Sequence, residues 1–242
     1  MIGKGYAKLE LEEMSGEEFI EEVLNGRRDF SGIKLVDGDL SSIEGFEEMN
    51  RYLERHKAYL RKEPIDISYS DFSGVEAEGI YLPYVRGIRT NLKRSNLRYA
   101  YLERAYFPNA KFQEAGLEMA TLYKANFQKA NLRKTILWKT NLREACLRGA
   151  KFGEASLIRT YLLGADLSEA NLEKASLLAA FLVEANLEKA NLQEANLALA
   201  DLKGANLRNA NLRKSKLDGA YLRNVKLDGA NLEEAEGGVI FL

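Results

Sequence analysis

Ala185-Asn186-Leu187-Glu188-Lys189-Ala190-Asn191-Leu192-Gln193-Glu194-Ala195-Asn196-Leu197-Ala198-Leu199-Ala200-Asp201-Leu202-Lys203-Gly204 is one five-residue unit written four times, and the spacing runs far beyond this stretch. Every fifth residue from position 92 to position 232, twenty-nine in succession, is Leu or Phe. The position two before each is equally restricted: of the 28 from 100 to 235, 23 are Ala and the others are Thr135, Thr140, Thr160, Ser215 and Val225. On an α-helix each such step turns the side chain by about 140° beyond a full turn, so the leucines would coat every side. In a straight strand an odd period sends successive leucines to opposite faces. A chain that bends in the same direction once per unit satisfies the pattern, with the Ala and Leu positions inward and the three residues between them turning the corner. The expected fold class is all-β, a solenoid of short extended segments stacked in one dimension.

The units at 185–189 and 200–204 read A-[DN]-L-x-x, and on this motif the chain resembles the pentapeptide-repeat family. The match covers roughly residues 65 to 236, with a diverged stretch over 28 to 43. The resemblance implies a right-handed quadrilateral β-helix with four pentapeptides to a coil. Stacked at ~4.8 Å, about eight and a half coils would form a rod on the order of 40 Å long. Family resemblance also implies two functional expectations. Several members resemble B-DNA in shape and acidity and inhibit or protect type II topoisomerases, and some dimerise through C-terminal apolar residues.

Five segments are expected: an N-terminal segment with a capping helix (1–27), first diverged repeats (28–46), a helical insertion (47–63), the main solenoid (64–236) and an apolar tail (237–242). Ser15 and Glu18 have the spacing of a capping box, with Met14 and Phe19 placed as a hydrophobic staple and Gly26 placed to stop a helix begun near Gly16. Its apolar residues Phe19, Ile20, Val23 and Leu24 are expected to cover the open end of the first coil. Early repeats centre on Phe30, Leu35 and Leu40, whereas later centres lie two residues past a multiple of five, so something of the wrong length interrupts the stack. Met49, Leu53, His56 and Leu60 have helical spacing, with Glu44, Glu47 and Glu48 ahead of them, Arg55, Lys57, Arg61 and Lys62 near the end, and Pro64 at the exit. This predicts a helix lying against one side of the stack, with His56 on its inner face. The repeats resume at Ile67 and Phe72, with poorer matches at Ala77 and Gly87.

Composition excludes several classes of function. There is no apolar run of membrane-spanning length, and Glu10, Glu12 and Glu13 stand where a signal peptide would be apolar, so a cytoplasmic location and no membrane partner are expected. With one cysteine, Cys146, and one histidine, His56, the usual zinc sites cannot be built, and no Gly-rich phosphate loop occurs. No cofactor, metal or catalytic residue is assigned. A core filled by leucine columns has no obvious cavity in which to desolvate a reacting group. Gly74, Gly149, Gly164, Gly204, Gly219 and Gly229 fall where a type II corner favours positive φ, and Pro83 and Pro108 suit the preceding position. Asn171, Asn191 and Asn211 recur every twenty residues, placing amides within reach of one another between coils.

Function then rests on the outward positions. Trp138, Ile158, Leu178 and Ala198 form one column, with Met119, Ile136, Ala179 and Leu199 beside it. On the next side Tyr81, Tyr101, Tyr161, Phe181 and Tyr221 form an aromatic column, followed at the same corner by Leu163 and Val183. The columns adjoin and make a candidate protein-docking surface, unless the helical insertion or the N-terminal segment covers them. Val239, Ile240, Phe241 and Leu242 are a second apolar element, expected either to close the last coil or to join two copies as a homodimer.

Charge argues against a DNA mimic. Net charge is -1 overall, and residues 86 to 151 alone carry 15 basic and 4 acidic side chains. Lys93, Arg94, Arg133 and Lys134 share one side and are a candidate anion-binding set. The expectation is a non-catalytic protein-interaction scaffold that self-associates, with an unidentified protein as partner. The alternative is a nucleic-acid-related role, by anion binding at the basic middle or by topoisomerase modulation, which the charge disfavours.

Overall fold

The computed structural model describes residues 10–237. From position 66 onward the residue preceding each repeat centre bridges, in parallel, the residue twenty positions later: Asp66 with Arg86, Asn91 with Lys111, Tyr161 with Phe181. Twenty residues therefore make one coil of four pentapeptides, and the chain is a β-helix solenoid. The expected period is met over the whole main run.

Hydrogen bonding within a unit shows why the motif has its composition. In the unit centred on Leu192, the N–H of Asn191 donates to Ala170 of the preceding coil at 2.9 Å, and those of Leu192 and Glu194 donate to Asn211 and Arg213 of the next at 2.7 and 2.9 Å. The N–H of Ala195 donates across the corner to the Leu192 carbonyl at 3.0 Å. Only the N–H of Gln193 lacks a backbone acceptor, and the Asn191 side-chain oxygen accepts from it at 3.2 Å. Asn or Asp before the central residue thus completes the backbone accounting. The same amides also join the coils as expected: Asn191 donates to Asn171 at 3.4 Å and Asn211 to Asn191 at 3.1 Å. A second ladder, Asp166 to Asn186 to Asn206, runs on the neighbouring side at 3.1 and 3.0 Å.

At each corner the residue two after the central one takes positive φ. Gly149 and Gly204 do so at 64° and 70°, but Lys134, Glu154 and Leu199 adopt 58°, 60° and 59°. Glycine is therefore a preference at this corner and not a requirement, because the carbonyl-to-amide bond across the turn and the ladders on both sides offset the left-handed conformation.

The Leu and Phe positions fill the interior with the Ala column beside them, both essentially without exposure through the middle coils. Three of the Thr residues that replace Ala donate their hydroxyls to core carbonyls, Thr135 to Leu132, Thr140 to Leu117 and Thr160 to Leu137, at 2.6 to 2.7 Å. Ser215 is equally buried, and its hydroxyl has no partner among the described residues. Because an unmade buried hydrogen bond costs about 1–3 kcal/mol, Ser215→Ala, which restores the majority residue, should stabilise the chain. Calorimetry should show a melting temperature higher by a few degrees.

Before the main run come β1 (Glu12–Ser15), α1 (Gly16–Leu24), β2 (Ile33–Val36), a 3-10 turn (Leu40–Ser42), α2 (Phe46–Arg55) and α3 (Lys57–Leu60). The capping box forms: the Ser15 hydroxyl accepts from the Glu18 N–H at 3.1 Å while the Glu18 carboxylate accepts from the Ser15 N–H at 2.8 Å. Met14 and Phe19 are both buried. The Phe19 ring lies 4.7 Å from Phe30 and 5.7 Å from Phe72, so α1 sets its apolar face on the first coils. The sequence carries no signal for strand β1. The strand pairs in parallel with β2, Glu12 opposite Ile33 and Ser15 opposite Val36, and extends the sheet on that side by one strand.

The interruption has the length that the register change requires. Asp29, Lys34 and Asp39 bridge Asp66, Asp71 and Glu76, each thirty-seven positions on instead of twenty. The surplus loops out as two helices and not one. His56 is the hinge between α2 and α3, and it is exposed, contrary to the expected inward face. Helical phase is lost there, so of the four residues at helical spacing Met49, Leu53 and Leu60 turn inward, as Phe46 does, while the His56 ring packs on Tyr52 at 4.3 Å and its Nδ1 lies 2.7 Å from the Tyr52 carbonyl.

The poor match at Gly87 is explained one coil further on. A Cβ at Gly87 would lie 2.3 Å from Phe107 Cε1, so the missing side chain is the space that the Phe107 ring occupies.

Candidate docking face

Asn at the position before the central residue satisfies the free N–H of the unit, and the aromatic column gives this up. At Tyr161 and Phe181 the following N–H groups, those of Leu163 and Val183, have no side-chain acceptor among the described residues. Aromatics at these two positions are therefore not what the backbone asks for. They stack instead: Tyr161 and Phe181 lie 5.0 Å apart with 7° between their planes, and Tyr81 and Tyr101 lie 4.7 Å apart at 10°.

The structure divides the expected column in two. Asn50 of α2 accepts from the Tyr81 N–H at 2.9 Å and donates to the Gly79 carbonyl at 3.3 Å. Lys57 of α3 donates to the Tyr101 hydroxyl at 2.8 Å and to the Glu103 carboxylate at 2.7 Å. Burial pushes the Glu103 carboxyl up, but the hydrogen bonds from Lys57 and Tyr101 outweigh it and hold the group below its ordinary value. The Glu103 and Tyr101 hydrogen bonds likewise raise Lys57. Tyr81 and Tyr101 thus serve as the seat of the helical insertion, whereas Tyr161, Phe181 and Tyr221 lie beyond it.

Past the insertion the apolar columns face outward. Met119, Ile136, Trp138, Leu163, Phe181, Leu199 and Tyr221 are all exposed, with Leu199 at 58 % and Tyr221 at 47 %. Ile158, Leu178, Tyr161 and Val183 are half-buried between them. Every residue proposed from the sequence for docking therefore falls on one corner of the solenoid and its two flanks. Two cations overlie the rings: Lys139 Nζ is 4.4 Å from the Trp138 centroid and Arg143 is 4.7 Å from that of Tyr161.

A groove of about 350 Å³ opens in this face where Asp201 interrupts the aromatic column, lined by Ala179, Phe181, Leu199, Lys203, Tyr221 and Arg223. Sequence reasoning overlooked it. Its signal was the single acidic residue between Phe181 and Tyr221 in the column at twenty-residue spacing.

The basic set lies on a different corner. Glu114 and Glu154 interleave with it one coil on, so that Arg94 pairs with Glu114 at 3.1 Å and Arg133 and Lys134 both pair with Glu154, at 3.3 and 3.6 Å. The pattern continues with Lys174 on Glu194 and Lys214 on Glu234. Three of the four cations thus have a carboxylate partner, and Lys93 borders an adjacent groove of about 500 Å³ with Arg94 and Gln113. Residues 239–242, the candidate self-association element, lie outside the described residues. The coil that precedes them leaves Leu232 41 % exposed, where its counterpart Leu212 one coil earlier is buried. No helix among the described residues is long and apolar enough to cross a membrane.

No curated protein matches the chain by sequence. Among solved structures, it is similar to HetL, a pentapeptide repeat protein involved in heterocyst differentiation regulation from the cyanobacterium Nostoc sp., at 28% identity and a TM-score of 0.59, covering 94% of this chain and 97% of that one. A pentapeptide repeat protein of the Arabidopsis thaliana thylakoid lumen is 33% identical over 36% of this chain and 65% of its own, with a TM-score of 0.30. The plasmid-mediated fluoroquinolone resistance protein QnrB1 is 16% identical over 72% and 89%, with a TM-score of 0.39. Pentapeptide repeats, in eight copies, match residues 88–122, 113–149, 125–162, 145–177, 180–219 and 205–236. These segments span more than half of the sequence, and the chain belongs to the pentapeptide repeat family.

Proposed function

We propose that this protein is a non-catalytic scaffold that docks another protein on the corner carrying Trp138, Ile158, Leu178 and Phe181. The observation that carries this reading is the continuity of exposed apolar side chains from Met119 to Tyr221 beyond the helical insertion. Contiguous apolar surface of this kind marks contact sites more often than chance, and at Tyr161 and Phe181 an aromatic ring stands where the repeat most often places Asn. The test is affinity capture from lysate with the wild-type chain and with Leu178→Asp. Aspartate is compatible with this corner, because Asp218 occupies the same column two coils later. A protein retained by wild type and lost by a variant of unchanged circular dichroism is the expected result, and identical captures by both baits would refute the docking face.

Self-association is the second part of the proposal, supported by the exposure of Leu232 in the last described coil. In this reading α1 closes the N-terminal end of the stack, whereas the C-terminal end is completed by a second copy. Light scattering at high micromolar concentration should report a dimer; a monomer there removes this part and leaves the docking face standing.

A further inference from the structure

We propose that the groove over Asp201 receives an aromatic side chain of a partner segment in which acidic residues flank that aromatic. This rests on the docking face and gives its partner a chemistry. The column holds its rings parallel at one-coil spacing, as the 5.0 Å separation and 7° angle of Tyr161 and Phe181 show. Phe181 and Tyr221 stand two coils apart, roughly 10 Å at ~4.8 Å per coil, with Asp201 in place of the ring that would continue the stack. A gap of that width takes one further ring at about 5 Å from each neighbour, within the stacking range of aromatic pairs. Leu199 and Ala179 form an apolar wall of the groove.

Charge selects what surrounds that ring. Lys139, Arg143, Arg159, Lys203 and Arg223 all lie on this corner or its flanks, and none forms an ion pair among the described residues. Against these five cations stand the carboxylates of Glu184, Asp201 and Asp218, also without ion pairs, which leaves an excess of positive charge around an apolar centre. The basic corner at Arg94 and Lys134 is built oppositely, with carboxylates interleaved on its cations. Unpaired cations rimming an apolar patch favour an acidic partner, which they also steer toward the face. A single-stranded nucleic acid fits less well. Arg143 and Lys139 already overlie the Tyr161 and Trp138 rings, and the facing sides of Tyr161 and Phe181 are spent on each other, so few ring faces remain for bases.

The full chain should be panned against a phage-displayed random dodecapeptide library, and the enriched peptides resynthesised with a fluorophore for anisotropy titration. The expected consensus is one aromatic residue with Asp or Glu on either side. Asp201→Phe, which continues the aromatic column and fills the notch, should weaken binding at least tenfold. Lys203→Glu with Arg223→Glu, both exposed at the edge of the groove, should do the same, and wild-type binding should weaken as salt rises. Peptides without that pattern, no enrichment over an empty surface, or affinity unchanged in both variants would overturn the proposal. A fluorescent dT20 oligonucleotide that binds at micromolar concentration and is lost in the same variants would replace it with nucleic-acid recognition. If lysate capture finds a partner that depends on Leu178 but tolerates both groove variants, the docking face stands and the notch falls; peptides that depend on Asp201 without any Leu178-dependent partner give the reverse.

Discussion

Phe127→Ala should remove about 3–5 kcal/mol of stability, the usual cost of deleting a fully buried aromatic ring. Phe127 packs against Phe107 at 5.6 Å and Phe112 at 5.3 Å, and those two meet edge-on at 5.1 Å, all three without appreciable exposure. The ladder on every side pins the coil, so the wall cannot collapse into the space left behind. In a solenoid each coil touches only its neighbours, and stability is nearly a sum of coil and interface contributions. Weakening one interface near the middle should therefore split unfolding into two transitions, with the coils before position 107 melting separately from those after 132. Calorimetry combined with limited proteolysis reads this directly: cleavage confined to one side of Phe127 is expected, and a single transition shifted by less than about 1 kcal/mol would contradict it.

Gly87→Leu has the second large effect, and its sign is opposite to what the repeat suggests. Leucine is the majority residue at this register, yet a Cβ at Gly87 would meet Phe107 Cε1 at 2.3 Å and Cδ1 at 2.5 Å. A full side chain must displace a ring that is itself locked among Phe112 and Phe127. Overpacking of this kind costs typically 1–3 kcal/mol and can cost more. The double variant with Phe107→Leu returns both positions to the common pattern and should recover most of the loss. A double-mutant cycle by chemical denaturation measures the coupling, and additive effects would show that the two sites do not share the space.

Both predictions concern the part of the molecule that was most legible. An unbroken register of Leu and Phe can be buried in few ways, and the twenty-residue bridges follow from it. Other features were legible in kind but not in placement. The register change between Leu40 and Ile67 announced an insertion, but its division at His56 did not show, because four apolar residues at helical spacing look alike whether or not the helix breaks between them. β1 carried no strand signal, since Glu12 and Glu13 are adjacent acids and only the edge offered by β2 makes them extended. Left-handed corners at lysine and glutamate were equally hidden, since local propensity disfavours what the ladders impose.

The candidate face divides in the same way. That Trp138, Ile158, Leu178, Phe181 and their neighbours lie together was determined by the sequence alone, because a fixed period of twenty converts residue number directly into position on the surface. What is covered and what is open was decided only by tertiary structure. Asn50 reaches a backbone 31 positions away and Lys57 a carboxylate 46 positions away, and these contacts seat the insertion on Tyr81 and Tyr101 while Tyr161, Phe181 and Tyr221 remain beyond it. Periodicity records how a chain repeats along its own axis. The docking of a non-repeating segment depends on a few specific polar contacts between distant residues, and no period encodes those.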